Sequence, residues 1–306
     1  MNWFWFAIIA LICWSGSDLF SKIGCCGEKD KTAHLKMVVA VGVVMGLHAA
    51  YEIFIGGVEI SWQVIWTYLP VSLLYIFSMA LGYIGLRYIE LSISSPICNS
   101  SGAIVAVLCL CFGMLPEITG GSLYAVIAAV AIICIGVVGL GIVEATEDED
   151  LRAKRQEKAN RKYSKSWLAL CLPIAYCLLD AAGTFADSLV LETLNEDSAN
   201  VAYELTFLVA GLGCLVYLLI RRVKFFPKQE VPKYVAACFE TAGQFAYIYA
   251  LADEEHVMFS APIISSYCVL SAVWGRLFLK EKLSWKHYLM IGFVIVGIVI
   301  IGVFDI

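Results

Sequence analysis

Apolar runs of about twenty residues recur along the whole chain, and they leave few folds open to it. Ten are delimited, at 3–23, 35–56, 66–90, 92–115, 121–143, 167–191, 199–220, 233–252, 257–279 and 285–304. At about 1.5 Å of rise per residue each is long enough to cross hydrocarbon as a helix. Lipid offers backbone groups no hydrogen bonds, so helices are the expected spanning elements. Composition agrees: 61% of the residues are hydrophobic and only 15% are charged, whereas a soluble domain carries about 25% charged residues. An ordinary globular protein is excluded. The first run has no basic start and no clear small-residue cleavage site, so it reads as a span rather than a signal peptide.

The long polar connection is EATEDEDLRAKRQEKANRKYSKS, residues 144–166. It divides the chain into a first five-span unit (1–143), a charged linker (144–166) and a second five-span unit (167–306). Loop charge then sets an orientation. If the connections are assigned alternately to two sides, all 21 Lys and Arg residues fall on or near one side, while Glu59, Glu117, Glu192, Glu196 and Asp253 fall on the other. Basic loops stay cytoplasmic, which puts the linker inside and both termini outside, in a multi-pass protein of the plasma membrane, a bacterial cytoplasmic membrane by expectation. The twelve cysteines are scattered and show no C-x-x-C, so neither a disulfide framework nor a zinc site is expected.

Spans one and six carry related patterns. ICWSGSD at 12–18 corresponds to IAYCLLD at 174–180, pairing Trp14 with Tyr176 and Asp18 with Asp180. Span four (Pro96, Ser100, Phe112) corresponds to span nine (Pro262, Ser266, Phe278). Because each unit has an odd number of spans, the two run in opposite directions, the arrangement of many secondary transporters. The expected architecture is therefore an all-α integral membrane protein of ten transmembrane helices in two inverted five-helix repeats.

The second unit, with Pro262, Phe278-Leu279-Lys280-Glu281, Gly292 and Gly297, resembles the EamA-like ten-helix members of the drug/metabolite transporter superfamily. The first unit keeps Pro96 and Phe112-Gly113 but has Leu115 where Glu281 would align. The resemblance implies a membrane transporter of small metabolites. It also implies cytoplasmic termini, opposite to the charge-based orientation.

Ionisable residues inside spans cost about 2.5–3.5 kcal/mol on insertion scales and mark function by default. Helical spacing of three and four places Trp14 with Asp18, Tyr176 with Asp180, Thr184 and Asp187, and Glu240 with Gln244 and Tyr247. Asn99, Ser266 and Tyr267 add hydrogen-bonding groups from spans four and nine. The expected substrate site is therefore Trp14, Asp18, Asn99, Tyr176, Asp180, Glu240, Gln244, Tyr247, Ser266 and Tyr267. Carboxylates and aromatic faces both attract cations, so the expected cargo is an organic cation or amine of quaternary-ammonium or choline-like type. Burial disfavours charged carboxylates in general, which makes Glu240 and Asp180 the expected proton-coupling residues. Asp187, Glu204 and Glu52 lie near span ends and are expected to be solvated, and His48 to be a satisfied core histidine.

The expected mechanism is secondary transport by alternating access around this site. Neutral amphipathic metabolites or amino acids are the alternative cargo, and a non-transporting receptor or scaffold is the alternative class. No H-E-x-x-H, G-x-S-x-G or P-loop pattern is present, so an enzyme is not expected. Neither are a cofactor, a metal or a nucleic-acid partner. The expected partners are a small molecule and the bilayer, and oligomeric state is open.

Overall fold

A computed structural model describes residues 2–25, 30–88, 91–114, 121–146, 167–278 and 283–304. Among the described residues there are no strands. The helices are α1 (Trp3–Cys25), α2 (Ala33–Tyr51), α3 (Trp62–Tyr88), α4 (Leu91–Cys98), α5 (Ser101–Phe112), α6 (Gly121–Ala145), α7 (Trp167–Leu191), α8 (Glu196–Ile220), α9 (Pro227–Leu251), α10 (Val257–Ser265), α11 (Tyr267–Phe278) and α12 (Trp285–Phe304). A π-turn, Glu52–Gly56, extends α2 and stops at Gly57, whose φ of 76° is a left-handed value open to glycine.

Among the described residues, eight stretches are long and apolar enough to cross a membrane: Trp3–Cys25, Ala33–Gly56, Trp62–Gly85, Ser94–Phe112, Tyr124–Val143, Cys171–Leu191, Glu196–Ile220 and Val257–Phe278. The sequence reading gave ten. The two outside this set are α12, a 20-residue helix with some side chains beyond Ile301 outside the described residues, and α9, made less apolar by Glu230, Lys233, Glu240 and Gln244.

Two expected spans are broken in the middle. α4 gives way to α5 at Asn99-Ser100, and α10 to α11 at Ser266. The cause is local competition for carbonyls. Ser100 Oγ donates to the Pro96 carbonyl at 2.9 Å, Asn99 Nδ2 to Ser95 at 2.8 Å, and Ser266 Oγ to Ile263 at 2.5 Å. Such side-chain bonds offer the backbone an alternative to the helical ladder.

The most extensive helix contacts pair α1 with α9, α6 with α12, α2 with α8 and α3 with α7. The α2–α8 crossing is close because glycines meet there. A Cβ added at Gly42 would lie 2.6 Å from the Phe207 carbonyl oxygen and 2.9 Å from the Gly211 Cα. Neither is a flexible group that can move aside. Gly42→Val is therefore expected to destabilise the protein by about 1–3 kcal/mol through overpacking, read as a lower melting temperature in detergent. Gly46→Ala, which meets only the Leu208 side chain, costs less.

One end of the bundle is fastened by a buried ion cluster. Lys36 at the start of α2 bonds Asp30 at 2.7 Å, Glu230 of α9 at 3.0 Å and the Lys224 carbonyl at 2.9 Å. Lys233 reaches Glu230 at 2.8 Å. Both lysines are nearly inaccessible, at 3% and 2% side-chain exposure. Burial pushes the Asp30 carboxyl up, but bonds from Lys36 and Thr32 outweigh that and hold it below the usual carboxylate range.

Two residues expected in solvent are buried. Glu204 is fully covered because His48 Nδ1 sits 2.8 Å from its Oε1 and Asn200 donates to it at 3.4 Å. His48 is thus a satisfied histidine, and its partner is a buried carboxylate. Asp187 is also fully covered, between tyrosines of α3. Glu52, 3.7 Å from His48 Nε2, is partly exposed. The side chain of Arg87, Glu117, Leu279 to Glu281 and most of the 144–166 linker lie outside the described residues.

Candidate functional site

A cavity of about 90 Å³, counted as space that the centres of water molecules can occupy, lies among α1, α3, α4, α7, α8, α9, α10 and α11. Nine of the ten residues expected at the site line it: Trp14, Asp18, Asn99, Tyr176, Asp180, Glu240, Gln244, Tyr247 and Tyr267. Ser266 does not. Its hydroxyl turns back to the Ile263 carbonyl at the helix break, and Ser265 takes the place on the cavity wall.

The three carboxylates come from different helices, and each is held by serine. Asp18 Oδ2 accepts from Ser95 and from Ser271, both at 2.7 Å. Asp180 Oδ2 accepts from Ser101 at 2.7 Å, and Glu240 Oε2 from Ser17 at 2.7 Å. Lys22, one turn along from Asp18, adds an attractive charge. The serines fix each carboxylate's rotamer and leave it further acceptor capacity.

Aromatic rings wall the space, and they are seated on glycines. Trp14 packs against Gly243 of α9, so that a Cβ there would fall 2.7 Å from its Nε1. Tyr176 of α7 packs against Gly82 of α3, with a Cβ 3.0 Å from its ring. Trp14 also faces Tyr247, at 5.0 Å between ring centroids, and meets Tyr267 edge-on at 5.9 Å. Any side chain at either glycine would drive a ring inward. Among the described residues, Trp14 Nε1 and Gln244 Nε2 are buried donors with no hydrogen-bond partner.

Residues the sequence reading did not assign complete the wall, including Tyr75, Met79, Tyr83, Thr184 and Tyr203. The stripe of Tyr75, Met79, Gly82 and Tyr83 follows helical spacing on α3 and could have been found that way. Ser17, Ser95, Ser101 and Ser271 could not, because serine is common in helices and carries no spacing signal.

The sequence model of the EamA-like transporter family matches residues 167–303. That stretch is somewhat under half of the chain, so the match is a likeness of the second half. The match agrees with the eight apolar helices, among the described residues, that are long enough to cross a membrane. The matched stretch contributes Tyr176, Asp180, Glu240, Gln244, Tyr247 and Tyr267 to the cavity. No curated protein matches the sequence. A crystal structure described only as that of a protein aligns with 98% of this chain and 96% of its own, at a TM-score of 0.65 and 13% identity. At that identity the likeness speaks for the fold alone. It extends over the first half, where the EamA model makes no match.

Proposed function

We propose that the chain is a secondary active transporter of organic cations or amines, working by alternating access around the acidic–aromatic cavity. The observation that carries this reading is that Asp18, Asp180 and Glu240 share one cavity walled by Trp14, Tyr176, Tyr247 and Tyr267. Carboxylates give a cation its countercharge, and each desolvated ring face adds about 0.5–2 kcal/mol. Glu240 and Asp180 carry the exchanged proton, since either one gains from neutralisation by a proton when cargo leaves.

Ten spans in two inverted repeats, with the basic loops cytoplasmic and both termini outside, form the framework of this proposal. The packing supports it. Exchanging the halves turns the α1–α9 pair into α7–α3, and it maps α2–α8 and α6–α12 onto themselves. The seating of rings supports it too: Trp14 on Gly243 and Tyr176 on Gly82 are related by sequence offsets of 162 and 161.

A second cargo class has its own support. The unpartnered donors of Trp14 and Gln244 suit a ligand that also bears an acceptor, as an amino acid does. One experiment separates the readings. Purified protein is screened for ligand-induced thermal stabilisation with choline, simple amines, polyamines, amino acids and sugars, beside Glu240→Gln and Asp180→Asn. Stabilisation of the wild type by choline or amines, lost in both variants, is the expected result. Stabilisation by amino acids alone selects the second reading. Stabilisation by neutral compounds alone, unaffected by the variants, overturns both.

A further inference from the structure

Asp187 lies outside the cavity wall, yet it is hydrogen-bonded to it. The Tyr68 hydroxyl donates to its Oδ1 at 2.7 Å and the Tyr75 hydroxyl to its Oδ2 at 3.4 Å. The Tyr75 oxygen in turn meets the Tyr247 hydroxyl and lies 3.3 Å from Thr184 Oγ1, to which Tyr247 also donates at 3.0 Å. Tyr75, Thr184 and Tyr247 line the cavity. A continuous run of hydroxyls therefore joins the cavity to a carboxylate with 0% exposure.

The titratable groups facing Asp187 come from three other helices and from its own. They are Tyr68 and Tyr75 of α3, Tyr203 of α8 and Tyr247 of α9, with Asp180 two turns back on α7 itself. Its polar partners are hydroxyls, and among the described residues the ion pairs are made by other carboxylates. A charge inside the bilayer costs about 2.5–3.5 kcal/mol on insertion scales. At a buried site closed to larger ions, a proton is the counterion that fits.

We infer that Asp187 is a proton-binding site that exchanges protons with the cavity through Tyr75 and Tyr247. A hydroxyl donates one hydrogen bond while accepting others, so the run can relay. The carboxyl of Asp187 gives its proton to the Tyr75 oxygen. Tyr75 passes its own proton to Tyr247, and Tyr247 passes one to water or a carboxylate in the cavity. Only O–H bonds break and form, and Asp187 is left with one negative charge. The 3.4 Å step between Tyr75 and Asp187 is the longest and governs the rate. The inference rests on the proton-coupled reading above but not on the identity of the cargo.

The test needs no cargo. Wild type, Asp187→Asn, Tyr75→Phe and Tyr68→Phe are placed in nanodiscs and followed by infrared difference spectroscopy between about pH 5 and pH 9. The wild type is expected to show a protonated-carboxyl stretch that Asp187→Asn lacks. Tyr75→Phe keeps the band, but its hydrogen–deuterium exchange slows about tenfold, equivalent to about 1.4 kcal/mol in the barrier. Tyr68→Phe keeps the band and shifts its frequency, because the 2.7 Å donor is gone; this variant serves if Asp187→Asn does not fold. A spectrum unchanged by Asp187→Asn, a band unmoved by Tyr68→Phe, or unslowed exchange in Tyr75→Phe overturns the inference. The ligand screen can fail while this band is present, so the two proposals fail separately.

Discussion

Replacing Lys36 with methionine is expected to lower the unfolding free energy by about 3 kcal/mol, near the low end for breaking a buried ion pair. Lys36 has three oxygen partners, of which Glu230 is buried and Asp30 partly so. Methionine fills much the same volume, so the loss isolates the charge. Glu230 keeps Lys233 at 2.8 Å, which is why the expected loss is not larger. The measurement is the shift in melting temperature in detergent, with Lys36→Arg as the charge-retaining control. The effect also depends on pH, with a definite sign. Asp30 is held below its ordinary value in the folded protein, so its contribution is complete above the unfolded value of about 3.9. That contribution fades as pH falls through the lowered folded value. The gap between wild type and Lys36→Met therefore narrows in acid below about pH 4. A gap that is constant from neutral pH into acid rules out a part for Asp30.

Gly243→Val is expected to abolish ligand binding in the cavity while leaving the bundle assembled. A Cβ at this position would sit 2.7 Å from Trp14 Nε1 and 3.1 Å from Cγ. Ordinary contact needs about 3.5–4.0 Å, so the indole must shift by about 1 Å into a space of about 90 Å³. Overpacking adds a stability cost of about 1–3 kcal/mol, which the melting temperature reports separately. The decisive comparison is ligand-induced stabilisation in Gly243→Val beside Gly243→Val/Trp14→Ala. Deleting the displaced ring should reopen the space without restoring its cation–π contribution. Full wild-type stabilisation in the single variant would show that the indole does not bound the ligand's space.

The cavity wall is readable from sequence where one helix carries two signals at once. Trp14 with Asp18, Tyr176 with Asp180, and Glu240 with Gln244 and Tyr247 stand one or two turns apart, and all line the cavity. The fold was readable because membrane length and apolarity are properties of single segments. What was missed depends on pairs of segments. Asp187 and Glu204 are near helix ends, which suggested solvent; Tyr68, Tyr75 and His48, which hydrogen-bond to them, lie 112 or more positions away in the chain. The breaks at Asn99-Ser100 and Ser266 were hidden inside apolar runs, because a side chain bonding to a nearby carbonyl leaves hydropathy unchanged. Ser266 was placed on the wall by helical spacing, which the break itself invalidates.

The four principal helix pairs, α1–α9, α2–α8, α3–α7 and α6–α12, each take one member from either side of the linker. The two sequence units are therefore interleaved like the fingers of clasped hands. Neither can move as a body while those pairs stay intact. Any rearrangement that exposes the cavity to one face and then the other must follow seams between mixed pairs. The mechanical boundaries of the molecule therefore do not coincide with the linker.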